Sequence, residues 1–389
     1  MALVSMIETQ VVEKRKWLGA EDMLDGVALA SLLPGPMAVN TVAYVGYRLR
    51  GGVGALVSSV AVLLPTVVFM LVLADLYFRF GTLPQVERIF SGILPAVAAI
   101  VLSVCLKMAG KNFKKPVHWV AFGGVVLLFF VLPQAYRMFA TFGVVALYGA
   151  VGIMAHKFSA RNVADDEVSP SPDEVAGKVG PAKVGIARGL GFGLLGIILL
   201  FGIIPLPVAE DGYIALMKTF SSMSLTLFGG GYVFIPMIQD VVVDQYGWLS
   251  AKEFIDGIAL GQVTPGPILI SASFIGQKVA GIPGALLSTI AIFAPPAILM
   301  VLLSGMLEQI KGSAVVQAAM KGIRIAVIGL IFRAFLNIFL MAWPESMELW
   351  GHAVLVGSVF CLSFIALHRF KVDVLWVIPT AGIVGYFFG

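Results

Sequence analysis

The chain has 389 residues, 59% hydrophobic and 12% charged, with a formal net charge of +4 and a mean hydropathy of +0.97. So little polar surface excludes a soluble globule of this size and makes a lipid bilayer the expected solvent. The two cysteines, Cys105 and Cys361, sit in separate apolar runs with neither a disulfide framework nor a metal-ligand spacing; no cofactor, metal or nucleic-acid partner is expected.

Met1–Val12 lacks a basic start and runs into Glu13, Lys14, Arg15 and Lys16, so it does not read as a cleavable signal peptide. Apolar runs follow near 25–48, 51–78, 88–109, 116–133, 138–157, 188–208, 213–238, 255–277, 281–306, 314–341, 347–367 and 372–388. Each has spanning length, which predicts an all-α polytopic membrane protein with about twelve transmembrane helices. Residues 158–187, rich in Ser, Pro, Asp, Glu, Lys and Gly, read as a solvated cytoplasmic linker. It separates a first repeat, 1–157, from a second, 188–389. The halves match at one offset. Trp17, Asp25 and Pro34-Gly35-Pro36 correspond to Trp248, Asp256 and Pro265-Gly266-Pro267 at 231 residues. After one deletion Gly46, Arg48, Gly54, Pro65 and Gly92 correspond to Gly276, Lys278, Gly284, Pro295 and Gly322 at 230.

Basic residues set the expected orientation. Lys107, Lys111, Lys114 and Lys115 form one cluster and Lys157, Arg161, Lys183 and Arg188 another, both cytoplasmic by the positive-inside rule. Glu210, Asp211, Glu345 and Glu348 then fall outside and His368, Arg369 and Lys371 inside, with Lys14–Lys16 and Lys278 as exceptions. If each Pro-Gly-Pro segment crosses once, an odd number of crossings separates Trp17 from Trp248 and the second half is inverted. If it dips and returns, the count is even.

Inverted repeats with interrupted helices characterise secondary transporters. Ser250 and Glu253 form a capping-box pattern, and the residue before a proline leaves the α region, so the helix they start should end near Thr264. Pro267 suits the first position of a new helix. The N–H groups of Ile268, Leu269 and Ile270, and in the first half those of Met37, Ala38 and Val39, would then be unpaired at the positive ends of half-helices, where an anion is favoured. Asn40 and Ser271 add polar contacts at matched positions. The alternative is that Pro-Gly-Pro only kinks a packed helix.

Residues 228–296, beginning FGGGYVFIPM and containing DGIALGQVTPGPILIS, resemble the signature of the chromate ion transporter family. The first half carries the corresponding VVEKRKWL, LDGVALASLLPGP and YVGYRLRGGVGAL. The resemblance spans essentially the whole chain. It implies a multi-pass carrier of the bacterial inner-membrane type, with inverted halves, that exports chromate and confers chromate resistance. The implied partners are chromate or a sulfate-like oxyanion and the lipid bilayer, and a homodimer is compatible with it. Phe228, Gly229, Gly230 and Gly231 either permit close helix packing or unwind to line the site. Their counterparts would precede Met1, so the first half is N-terminally short.

Such a substrate is demanding. Moving a bare dianion into hydrocarbon costs tens of kcal/mol, whereas a charge-assisted hydrogen bond contributes roughly 1.5–3 kcal/mol and a helix terminus at most about 2. A basic residue or water must assist. Arg48 and Lys278 are matched, but about three helical turns, roughly 16 Å, beyond the breaks, which suits steering, or snorkelling with no ligand. Gln262, Thr264, Ser271 and Ser273 are deeper candidates that could equally bond their own backbone. Asp25 and Asp256 are candidate proton carriers or surface carboxylates favouring a helix dipole. Arg324 and Arg333, unmatched in the first half, are substrate ligands or charges in a wet cavity. No catalytic cluster is expected, because His118, His156, His352 and His368 are scattered. An anion channel would share the helix ends but would more naturally show a symmetric pore ring.

Overall fold

The computed structural model describes residues 2–81, 83–113, 116–132, 137–163, 212–225, 227, 231–232, 234–304, 313–343 and 350–389. The expected span 188–208 and most of the expected linker lie outside them. All regular elements among the described residues are helical. They are α1 (Ala2–Glu8), which runs into a π-helical turn (Thr9–Lys14), α2 (Ala20–Leu32), α3 (Met37–Phe80), α4 (Pro84–Asn112), α5 (Pro116–Val131) and α6 (Arg137–Val163). After the linker come α7 (Gly212–Ser224), α8 (Phe234–Gln239) with its π-helical turn (Asp240–Gln245), α9 (Ala251–Val263), a 3-10 turn (Ile268–Ile270), α10 (Ser271–Leu303), α11 (Ala314–Ala342), α12 (Trp350–His368) and α13 (Val374–Phe388). Five described helices are long and apolar enough to cross a membrane. The protein is thus an all-α, multi-pass membrane protein, and α6 continues six residues into the segment read as linker.

Two of the long helices are folded in two. In α3 the torsions break at Arg50 (φ −141°, ψ 23°) and Gly51 (φ 64°, ψ −151°), the left-handed conformation that only glycine adopts cheaply. The segments on either side, 37–49 and 52–80, run back along each other. Ser58 Oγ donates to the Val42 carbonyl at 3.0 Å although the two are 16 residues apart, and Gly46 lies against Gly54 with no room for a side chain. In α10 the same break recurs at Ala280 (φ −144°, ψ 26°) and Gly281 (φ 64°, ψ −157°). There Ser273 and Thr289 hydrogen-bond at 2.6 Å and Gly276 abuts Gly284.

The Pro-Gly-Pro segments also fold back, which corrects the expectation that each crosses once. Gly26 packs on the Tyr44 ring and Asp22 pairs with Arg48, contacts equally spaced about Gly35. In the second half Gly257 packs on the Phe274 ring and Glu253 pairs with Lys278 at 2.8 Å. Each segment is therefore a re-entrant hairpin: a half-helix in, Pro-Gly-Pro at the tip, and a half-helix out. Proline stereochemistry ends a helix but does not fix the direction of the next one, and it is these paired contacts that fold it back.

The halves interlock. Helix α4 packs extensively on α11, α12 and α13, and α11 on α4, α5 and α6. Gly92 meets the Ala381 carbonyl and Gly385, while its match Gly322 meets the Tyr148 carbonyl and Gly152. Glycine at these crossings lets the backbones touch, the usual basis of helix association in lipid. Helix 52–80, about 43 Å long by its rise, joins the two hairpins. It begins at the base of the first, at the Arg50–Gly51 turn. Its far end lies beside the base of the second, where Tyr77 bonds Asp256 at 2.7 Å and Lys252 bonds Glu87 at 2.6 Å. At its middle Thr66 touches the second tip.

Candidate functional site

The first tip is built by α2 ending at Leu32, with Leu33 (φ −87°, ψ 154°) as its C-cap, whose N–H donates to the Leu29 carbonyl. Gly35 takes φ +94° and its N–H donates to the Leu227 carbonyl at 2.8 Å. Pro36 is extended, and the helical ladder resumes with Asn40 N–H to Pro36 at 3.0 Å. The N–H groups of Met37, Ala38 and Val39 thus precede any intrahelical acceptor. Asn40 Nδ2 donates to the Pro34 carbonyl at 2.9 Å, which lays the amide across the tip; its Oδ1 is buried with no protein partner.

At the second tip the capping box of Ser250 and Glu253 is formed on both sides, and α9 ends at Val263 with Thr264 as its C-cap, as the sequence suggests. Two details differ. Pro267 is the N-cap, in an extended conformation, not the first helical residue. The re-entering helix also starts as a 3-10 turn in which Ile270 N–H already donates to Pro267 at 3.0 Å, so of the three expected free donors only Ile268 and Leu269 precede the ladder. Thr264 Oγ1 bonds the Gly261 carbonyl (2.8 Å) and Ser271 Oγ the Ile268 carbonyl (3.0 Å), so both hydroxyls serve their own backbone. Gln262 Nε2 is buried and faces the Tyr232 hydroxyl, the group within its hydrogen-bonding reach. Pro265 and Gly266 are exposed, whereas Pro34, Gly35 and Pro36 are buried.

Each tip rests against the middle of a helix from the other half. Thr66 Oγ1 donates to the Pro265 carbonyl at 2.8 Å, and a Cβ on Gly266 would lie 2.6 Å from that oxygen. A Cβ on Gly35 would lie 2.6 Å from Pro296 Cγ. Thr66 follows Pro65 and Pro296 follows Pro295, prolines that each strip one donor from their helix. Thr66 and Pro296 were not singled out from the sequence; their only signal was adjacency to the matched pair Pro65 and Pro295.

The chromate transporter family description matches residues 1–153 and 214–386. The chain belongs to the chromate transporter family. It is 29% identical over 383 residues to an uncharacterised transporter of Methanocaldococcus jannaschii, covering 98% of this chain and 89% of that one. A chromate transport protein of Cupriavidus metallidurans is 29% identical over 338 residues, 85% of this chain and 76% of its own length. An uncharacterised transporter of Bacillus subtilis aligns over 178 residues at 29% identity, 94% of its own length but 44% of this chain. No solved structure matches. Proteins of this family are transporters, not enzymes.

The other residues singled out in this chromate transporter family member are scattered. Phe228, Gly229 and Gly230 lie outside the described residues, and Gly231 packs on the Leu269 and Ile268 side chains of the second tip's 3-10 turn. Arg48 and Lys278 sit at the hairpin bases, partly exposed, each paired within its own hairpin. Such pairs contribute at most about 1 kcal/mol, and neither cation is at a tip. Asp25 is half-buried in the first hairpin. Asp256 is not a surface charge on a helix end: it is 1% exposed and bonded by Tyr77 from the other half. Arg324 is half-buried on α11. Arg333 is a structural charge. Both its terminal nitrogens bond Asp240, at 3.0 and 2.5 Å, and its guanidinium lies 4.7 Å from the centre of the Phe129 ring. Ser273, hydrogen-bonded to Thr289 at 2.6 Å, fastens the second half-helix to the rest of α10.

Proposed function

We propose that this chain is a secondary carrier that exports chromate from the cytoplasm across a membrane of the bacterial inner-membrane type, conferring chromate resistance. Its proposed oxyanion site lies at the two Pro-Gly-Pro tips. The observation that carries this reading is the matched pair of re-entrant hairpins, with bases at opposite ends of helix 52–80 and one tip at its middle. Half-helix N-termini aimed at a mid-membrane point are the arrangement by which carriers hold anions. The N–H groups of Met37, Ala38, Val39, Ile268 and Leu269, which precede the helical ladder, are the proposed donors, with Gln262 Nε2 as a further one. The chromate transport protein among its relatives supports chromate over other oxyanions, with sulfate, of the same shape and charge, as the competitor to test.

Hairpin bases at opposite ends of a membrane-spanning helix also support inverted repeats at 1–157 and 188–389, and a relative about one repeat long supports the division into two. With both Pro-Gly-Pro segments folded back, the odd number of crossings that inversion needs comes from the other helices, whereas segments that dip and return were expected to give an even count. Under inversion combined with the positive-inside orientation, Lys16 is expected outside and Gln245 inside. Single cysteines there, in a background lacking Cys105 and Cys361, are expected to react with an impermeant thiol reagent from opposite faces. Reaction from the same face would rule inversion out.

Direction follows from charge. An inside-negative potential of about 100 mV is worth about 2.3 kcal/mol per charge, so outward movement of a dianion gains about twice that, enough for roughly a thousandfold gradient. Export needs no co-transported ion. Accumulation of chromate by everted vesicles is the test of substrate and direction.

A further inference from the structure

The base of the second hairpin holds more negative than positive charge. Lys252 and Glu253 lie on the same half-helix as Asp256, Lys278 on the returning one and Glu87 on α4. Lys252 is paired with Glu87 at 2.6 Å and Lys278 with Glu253 at 2.8 Å. Both cations are therefore committed to other carboxylates. Helix α13 packs against α9 and carries no charged side chain beyond its capping Asp373. The π-helical turn adds Asp240, bound to Arg333, and Asp244.

On helix 52–80 Arg79 pairs with Asp75 at 3.0 Å, so Asp256 is, among the described residues, a carboxylate with no cation paired to it, and it is the most buried of the group. Its Oδ2 accepts from the Tyr77 hydroxyl at 2.7 Å, and its Oδ1 is buried with no hydrogen-bond partner. An unpaired charge in such a place is costly, and a carboxyl group there relieves the cost by taking up a proton. Asp25, at the matched position, is half-exposed and lacks this enclosure.

We propose that Asp256 is a proton-binding site at the seam between the second hairpin and helix 52–80, with Tyr77 as its positioning residue, so that pH governs how this hairpin is seated. The proton adds to Oδ1 from hydronium and leaves to water, while Tyr77 keeps donating to Oδ2 in both states. The proposal rests on the carrier reading above, because seating matters only if the hairpin tip handles substrate.

The test uses the full-length protein in liposomes, with chromate flux followed at zero potential and with equal pH on both sides. Wild-type flux is expected to change several-fold through a single titration. Asp256→Asn should flatten that profile, and Asp25→Asn should keep its shape. Tyr77→Phe, which removes one hydroxyl, should stay active with the midpoint displaced by about one pH unit. Infrared spectra of the wild-type protein should contain the C=O stretch of a buried carboxylic acid, altered by Tyr77→Phe and absent from Asp256→Asn. A pH-independent wild-type profile, or an unchanged profile in Asp256→Asn, would overturn the proposal. If Asp256→Asn does not fold, Tyr77→Phe and the wild-type infrared band decide it. A protein that shows the band but moves no chromate would remove the transport reading and leave the proton site standing.

Discussion

Gly266→Val is expected to lower chromate flux by about a hundredfold or more while the protein still inserts in the membrane. The added Cβ would lie 2.6 Å from Thr66 Oγ1 and 2.7 Å from Thr66 Cγ2. Thr66 must then move, and its 2.8 Å bond to the Pro265 carbonyl is lost. Misplacement of about 1 Å at a binding site is enough for such a loss. The fold should survive, because Gly266 is exposed and is not among the residues with positive φ. Gly35 is different: its φ of +94° and its buried contact with Pro296 would make the same substitution there a folding defect. Flux is measured in vesicles normalised to inserted protein. Wild-type flux from a well-inserted G266V protein would sink the assignment of the tip as the site.

Breaking the Arg333–Asp240 pair is the largest stability effect expected. The two side chains are 8% and 1% exposed, so removing either partner strands the other charge, at a cost of about 3–5 kcal/mol. Arg333→Met and Asp240→Leu should each lower the melting temperature of the purified protein steeply. The double variant should recover most of the loss, because an apolar pair of similar volume removes both desolvation costs. It should also keep chromate flux, since the pair lies away from the tips. Equal destabilisation by single and double variants, or abolished flux in a stable double variant, would return Arg333 to the substrate path.

What the sequence revealed, and what it hid, divides along a physical line. The helix breaks at Thr264 and Leu33 were readable because they follow from proline's effect on the preceding residue, a local rule. So was the capping box at Ser250 and Glu253. The fold-back at each tip was not, because it depends on pairs far apart in the chain. Asp22 with Arg48, and Glu253 with Lys278, stand at equal distances from their breaks, and this spacing was the available clue. The enclosure of Asp256 was hidden for a stronger reason: it depends on Tyr77, which reaches it only after the halves interlock. Arg333 was conspicuous as a charge in an apolar span, but its partner Asp240 lies 93 residues away. The 3-10 start at Ile268, which removes Ile270 as a donor, has no signal in residue type.

The most direct measurement of the central claim is labelled chromate movement into everted vesicles, with the potential set by a potassium gradient and valinomycin and pH equal on both sides. Movement into these vesicles corresponds to export from the cell. With the vesicle interior made positive, chromate uptake should be saturable, should grow with the potential at about 2.3 kcal/mol per charge per 100 mV, and should be lost with Gly266→Val. Uptake that ignores the potential, or that is the same in vesicles without the protein, would contradict an electrogenic oxyanion carrier.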